Sequence, residues 1–366
     1  MSIAPNSPAA PRVRVLVVED SPVSQELLTT ILNGDPALQV VGIAANGEAA
    51  VAAAEQLRPD VITMDIHMPG LDGYGATRRI MERCPTRIVM VTGSLLADEV
   101  AASFRAMESG ALAVIVKPPG PGHADYAAAR DELLRTVKLM SEVKVVKRWA
   151  ARDPVTSPPP LKAAVTDVSQ PRPRIVAIGA STGGPVALQV ILSRLEPSIG
   201  APLVIVQHIS PGFADGFTQW LAQASAYDVR VPMQGERLLP GVAYVAPGGL
   251  QLTLHPNGSV RLVDEPAEHG FKPSVSFLFR SAAQFGPEAV GVLLTGMGRD
   301  GAQELDLMRR AGALTIAQDK ASAVVHGMPG EAVKLGAASH VMTPETIALT
   351  LNRLLRHDGK TSGIRQ

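Results

Sequence analysis

Residues 175–185 read IVAIGASTGGP. An apolar run passes into a turn of small residues in which Ser181 stands between Gly179 and Gly183. A turn of this kind, joining a buried strand to a helix, serves one of two chemistries: it cradles a phosphate on its backbone, or it presents a serine. A dinucleotide-binding turn needs the spacing G-x-G-x-x-G, so that the backbone can approach the pyrophosphate closely. Here the glycines fall at 179, 183 and 184, and a serine side chain occupies position 181, where the second glycine belongs. The stretch does fit G-x-S-x-G. An α/β-hydrolase, however, places its acid before its histidine, whereas the candidates here run in the order Ser, His, Asp. A triad in this chain therefore lies on another fold.

Outward from this stretch the chain has the rhythm of an α/β protein. RIVAIGA is followed by LVIVQH, VAYVAPG, VRLVDE, AVGVLLTG and ALTIAQD, with a hairpin expected in LQLTLHPNGSVRLVDE at Asn257-Gly258. The N-terminal half repeats the alternation. Strand-like runs at 13–18, 38–44, 61–64, 87–91 and 113–116 are separated by stretches such as SPVSQELLTTILN and GEAAVAAAEQL, whose apolar residues recur every three or four positions. The fold class expected is α/β: an N-terminal doubly wound (βα)5 domain, and a C-terminal doubly wound α/β domain with a small β-hairpin. The proline-rich stretch ARDPVTSPPPLKAAVTDVSQPRPR lacks periodicity and reads as a linker. The expected divisions are 13–140, a linker over 141–173, and 174–352.

Composition narrows the function classes. A chain of 366 residues is long enough for two cores, and 34 Lys+Arg against 34 Asp+Glu leave no basic excess to attract nucleic acid. The single cysteine, Cys84, cannot form an internal disulfide and is expected to pack as a small hydrophobe in a reducing compartment. The first residues, MSIAPNSPAAPRVRV, lack a secretory pattern, and no run reaches the ~18 apolar residues of a membrane span. The expectation is a cytoplasmic protein without direct membrane insertion.

In the first half, polar residues gather where strands end. Glu19 and Asp20 follow the first strand, Asp65 the third, Thr92 the fourth and Lys117 the fifth. In a doubly wound sheet these positions converge on one crevice. Three carboxylates together call for a hard cation such as Mg2+, beside which one of them can act as nucleophile toward a phosphoryl donor. Taken singly, each residue has a structural reading: the carboxylates cap helices, the threonine shapes a turn, and the lysine is solvated. The five in order argue against that. VVEDSP, TMDIHMPGLDGYGATRRI, MVT and VKPP resemble the receiver domain of two-component response regulators. The resemblance implies phosphotransfer from a histidine kinase to Asp65, Mg2+ held by Glu19, Asp20 and Asp65, and Thr92 and Lys117 as switch residues. Val114 stands where receivers usually carry an aromatic residue.

In the second half, Ser181, His208 in VIVQHISPGF and Asp300 in LLTGMGRDGA each follow an apolar run and so belong at strand ends on one rim. A serine hydroxyl becomes nucleophilic when an imidazole takes its proton, and the imidazole needs an acceptor to fix its tautomer. Taken alone, an isolated histidine after a strand is more often structural, and Asp300 could simply shape a turn. No His or Cys pair in this half has the spacing of a catalytic zinc site. GASTGGP, QHISPGF, YVAPGG, KPSV, GVLLTGMGRDGA, TIAQD and VHGMP resemble the catalytic domain of the chemotaxis protein-glutamate methylesterase family (CheB type). The resemblance implies Ser181 as nucleophile, His208 as base and then acid, and Asp300 as its orienter. It also implies the Met297 N–H as oxyanion donor, and Thr182 and Gly183 as shapers of the pocket. The implied activity is hydrolysis of glutamate methyl esters and deamidation of glutamines, on the cytoplasmic domain of a methylated chemoreceptor and with no cofactor for the esterase reaction. Gln251 stands where relatives often have His, and Ser276 where they often have Asp; both are expected to bear on substrate affinity or docking. Two other classes compete: a phosphorylation-dependent binding module that has lost the reaction, and a nucleotide-dependent oxidoreductase.

Overall fold

The computed structural model describes residues 12–93, 104, 107, 109–143, 171–196, 199–209 and 212–356. Of the expected linker 141–173, residues 144–170 lie outside the described residues, as does the last stretch from 357. The described residues fall into two compact units.

The first unit is built on a five-stranded parallel sheet: β1 (Val13–Val18), β2 (Leu38–Ala44), β3 (Val61–Asp65), β4 (Arg87–Thr92) and β5 (Ala113–Val116), in the order β2-β1-β3-β4-β5. Val15, Leu16 and Val17 in β1 are fully buried, as every residue of β3 is buried. Helices cover both faces of such a sheet, which is why its strands read as continuous apolar runs. The chain winds one way from β1 to β2 and the other way through β3, β4 and β5. A crevice therefore opens where β1 and β3 end side by side. Helix starts are capped by Ser21, Asn46 and Asp72, whose side chains accept from Ser24 N, Ala49 N and Gly75 N. Helix capping thus falls to residues other than Glu19, Asp20 and Asp65.

The second unit holds a seven-stranded parallel sheet in the order β14-β13-β12-β6-β7-β9-β8. Its strands are β6 (Ile175–Ala180), β7 (Leu203–Gln207), β8 (Asp228–Arg230), β9 (Val242–Val245), β12 (Ala289–Leu293), β13 (Leu314–Gln318) and β14 (His340–Met342). The hairpin β10 (Gln251–Leu254) and β11 (Val260–Val263) is antiparallel and turns at Gly258, φ +83°. All six residues of β6 are buried, and winding reverses between β6 and β12. Gly179 lies inside β6 because a Cβ there would overlap the Val275 side chain of the helix Val275–Ala282. Among the described residues, no helix is long and apolar enough to cross a membrane.

Candidate active site

The strand register sets the first two residues of the site. Ala180 pairs with Gln207 at the ends of β6 and β7, so Ser181 and His208 leave adjacent strands side by side. His208 N still donates to Ala180 O at 3.0 Å, and on the other flank Ser181 N donates to Thr295 O at 3.0 Å. The turn is glycine-rich for steric reasons. Gly183 has φ +78°, and a Cβ there would come within 2.5 Å of Val324. At Gly184 a Cβ would overlap Gln207 Oε1, and at Gly296 it would stand 2.7 Å from the Ser181 Cβ. The turn is packed too closely for side chains at these positions, and Ser181 itself is 7% exposed.

The His208 ring is fixed on two sides. Its Nε2 lies 2.7 Å from Asp300 Oδ2, and the Phe271 ring stacks on its face at 3.7 Å with planes 7° apart. An ionised carboxylate can only accept, so Nε2 carries the hydrogen and Nδ1 is the basic nitrogen. Nδ1 is buried and has no hydrogen-bond partner among the described residues.

Asp300 is 1% exposed and saturated with donors. Oδ1 accepts from Ser274 Oγ at 2.7 Å, Ser276 Oγ at 2.7 Å and Ser276 N at 3.0 Å, while Oδ2 accepts from Val275 N at 2.8 Å as well as from His208. The backbone donors are the free amides of the first turn of the helix Val275–Ala282, where the helix dipole also favours an anion. Burial pushes the Asp300 carboxyl up, but the hydrogen bond and charge of His208, with the Ser276 and Ser274 hydroxyls, bring it down to about 2.

Gln251 and Ser276 are both fully buried. Gln251 Oε1 accepts from Ser274 N at 2.8 Å and its Nε2 donates to Pro266 O at 3.0 Å, pinning the loop that carries Phe271 and Ser274. These two positions act inside the domain, on the setting of Asp300 and His208, rather than on a docking surface. Phe271 and Ser274 escape a sequence reading because they reach the site by tertiary approach. The one available signal was KPSV, whose serine precedes a helix as an N-cap would.

Met297 lies in the turn after β12 and is 44% exposed, with its neighbour Gly298 at φ +82°. Among the described residues nothing accepts a hydrogen bond from the Met297 N–H. Thr182 is half-buried, and its carbonyl accepts from Thr295 Oγ1 at 2.9 Å, tying the Ser181 turn to the end of β12.

In the first unit, Glu19, Asp20 and Asp65 each offer a carboxylate oxygen, all within 4.8 Å of one another. An all-oxygen donor set of three carboxylates suits a hard divalent cation. Lys117 Nζ lies 2.7 Å from Glu19 Oε2 and 2.9 Å from Asp65 Oδ2. Burial alone would lower the Lys117 ammonium; the hydrogen bonds to Glu19 and Asp65 outweigh it and raise it. Burial, with the charge of Asp65, raises the Glu19 carboxyl despite the Lys117 hydrogen bond. Thr92 is buried at the end of β4, and its carbonyl accepts from Lys117 N at 2.7 Å, so the two are neighbours. Val114 is half-buried against the core of this unit.

A receiver-type crevice and a Ser, His and Asp rim on a parallel sheet define a two-part class of protein, a response regulator coupled to a hydrolase. The family model for the response regulator receiver domain matches residues 15–125, and that for the CheB methylesterase matches residues 176–351. The chain is 50% identical over 351 residues to the protein-glutamate methylesterase/protein-glutamine glutaminase of Nitrosospira multiformis, covering 95% of this chain and 99% of that one. It is 49% identical to protein-glutamate methylesterase/protein-glutamine glutaminase 4 of Geobacter metallireducens, covering 93% and 99%. The crystal structure of the Thermotoga maritima CheB methylesterase catalytic domain is 36% identical and covers 50% of this chain and 98% of that chain, with a TM-score of 0.48. The chain belongs to the protein-glutamate methylesterase/protein-glutamine glutaminase family.

Proposed function

We propose that the protein hydrolyses glutamate γ-methyl esters, and deamidates glutamines, on the cytoplasmic domains of chemoreceptors, with Ser181 as nucleophile and under the control of phosphorylation at Asp65. The observation that carries the esterase reading is the His208 ring, tied by Nε2 to Asp300 and left with an unpartnered Nδ1 next to the Ser181 strand end. Ser181 Oγ attacks the ester carbonyl while its proton passes to Nδ1 of His208. The carbonyl oxygen becomes an oxyanion facing the Met297 N–H, in a pocket shaped by Thr182 and Gly183. The C–O bond to the methoxy group breaks, and methanol leaves with the proton held on Nδ1. Water then attacks the acyl-enzyme, gives a proton to Nδ1, and releases the glutamate carboxylate and Ser181. With an amide in place of the ester, the leaving group is ammonia. Asp300 stays ionised throughout and holds the ring.

In the receiver, Glu19, Asp20 and Asp65 would hold Mg2+, which offsets their charge and that of an incoming phosphoryl group. Asp65 accepts the phosphoryl group from a histidine kinase, with Lys117 and Thr92 as its neighbours in the crevice. The unphosphorylated receiver restrains the esterase, and charge added at Asp65 releases it. Residues 141–173 serve as the linker. These partners place the protein in the cytoplasm. A binding module without catalysis would draw on Gln251, Ser276 and Val114, but the first two support Asp300 and its loop.

Ser181→Ala should abolish methanol release from methylated receptor with melting temperature unchanged, and a wild-type rate in that variant would overturn the assignment. Loss of the oxyanion donor alone would cost ~100-fold or more.

A further inference from the structure

We infer that Gln207 is a positioning residue for this reaction: its one side-chain amide ties the backbone of the nucleophile turn to the backbone of the base. The inference rests on the assignment of Ser181 and His208 above. Gln207 is the last residue of β7 and is 2% exposed. Its Nε2 donates to Ser181 O at 2.9 Å and to His208 O at 2.9 Å. An amide nitrogen has two hydrogens, and each goes to one of the two residues whose separation the reaction depends on. The backbone ladder between β6 and β7 ends at His208 N and Ala180 O. Beyond that bond, the Gln207 side chain supplies the next tie between the two segments.

The surroundings are built for the amide rather than for its volume. Gln207 Oε1 is buried and lacks a partner among the described residues. An apolar side chain of equal length would fill the space without leaving an acceptor unsatisfied. What the glutamine alone adds is the pair of donors. Gly184 makes room for it, since any Cβ at that position would overlap Oε1. The last glycine of GASTGG is thus explained by a side chain on the neighbouring strand.

The test uses the full chain. Gln207→Met keeps length and flexibility and removes both donors. Gln207→Glu keeps shape and turns the donor into an acceptor facing two carbonyls. Ser181 O still receives Gly184 N at 2.7 Å, so the turn retains a tie in both variants. In each, kcat for methanol release should fall roughly 10- to 100-fold, the range a shift of about 1 Å between reacting groups produces, with KM within about twofold. Labelling of Ser181 by a fluorophosphonate, which needs the Ser–His pair but not the receptor, should slow by the same factor while melting temperature is kept. A kcat within about twofold of wild type in Gln207→Met, or a loss that only follows unfolding in both variants, overturns the inference. Ser181→Ala run beside them separates the cases: an active Ser181→Ala refutes the nucleophile assignment, whereas an inactive one with wild-type Gln207 variants refutes the positioning role alone.

Discussion

At the scale of single residues, Asp300 shows what a buried carboxylate needs in order to stay charged. Five donors from four residues converge on its two oxygens, and two of them are backbone amides at a helix start. Its carboxyl lies at about 2 in the folded chain against an ordinary 3.8. A folded value below the unfolded one contributes stability that is present above pH 3.8 and lost as pH falls through about 2. The difference corresponds to about 2 kcal/mol. Urea unfolding of the catalytic unit measured from pH 5 down to pH 2 should therefore show a steeper loss for wild type than for Asp300→Asn, and parallel curves would refute the hydrogen-bond account. The same residue shows what a sequence reveals. Apolar runs mark strand ends, and strand ends of a parallel sheet share one rim, so the sequence could place Ser181, His208 and Asp300 together. Their roles came from the family resemblance alone. The contacts of Ser274 and Ser276 with Asp300 were not legible, since the helix start that carries them lies 24 to 26 residues away in sequence and meets Asp300 only in the folded domain.

At the scale of elements, the strands announced themselves wherever they were long enough to show an apolar run, at a sheet's edge as well as at its centre. The runs at 13–18, 38–44 and 113–116 coincide with β1, β2 and β5, and β6 lies within RIVAIGA. Two strands of the second sheet went unread, Asp228–Arg230 and His340–Met342. Both are three residues long and sit at the two edges of the sheet, too short for a period and without a second buried face. The packing between elements was equally hidden. Val275 sits against both Gly179 of β6 and Gly301 beside Asp300, and a Cβ at either glycine would overlap its side chain. One valine thus fixes how closely the helix that feeds Asp300 approaches the central strand. Gly179→Ala should destabilise the domain by about 1–3 kcal/mol through overpacking. Val275→Ala should relieve it, giving a coupling of about 1 kcal/mol or more in a double-mutant cycle read by denaturant unfolding. Additive effects would mean that the strand accommodates the methyl group without the valine yielding.

At the scale of the whole molecule, the two units use the same geometry for different chemistry. Each gathers polar side chains where a parallel sheet reverses its winding, β1 with β3 in one and β6 with β12 in the other. In the first crevice the charges are poised rather than settled. Lys117 bridges Glu19 and Asp65, and the Glu19 carboxyl is held above its ordinary range. A phosphoryl group on Asp65 adds negative charge beside that lysine, and the pairing within the crevice must be redistributed. If this is the input to the esterase, full-length protein given Mg2+ and a small-molecule phosphoryl donor should release methanol at least about fivefold faster, the lower end of ordinary allosteric coupling. Asp65→Asn should keep the basal rate and lose the response, and chelation of Mg2+ should do the same to wild type. Equal rates with and without donor would remove the regulatory reading while leaving the esterase intact, and a response that survives in Asp65→Asn would move the phosphoryl acceptor to another residue.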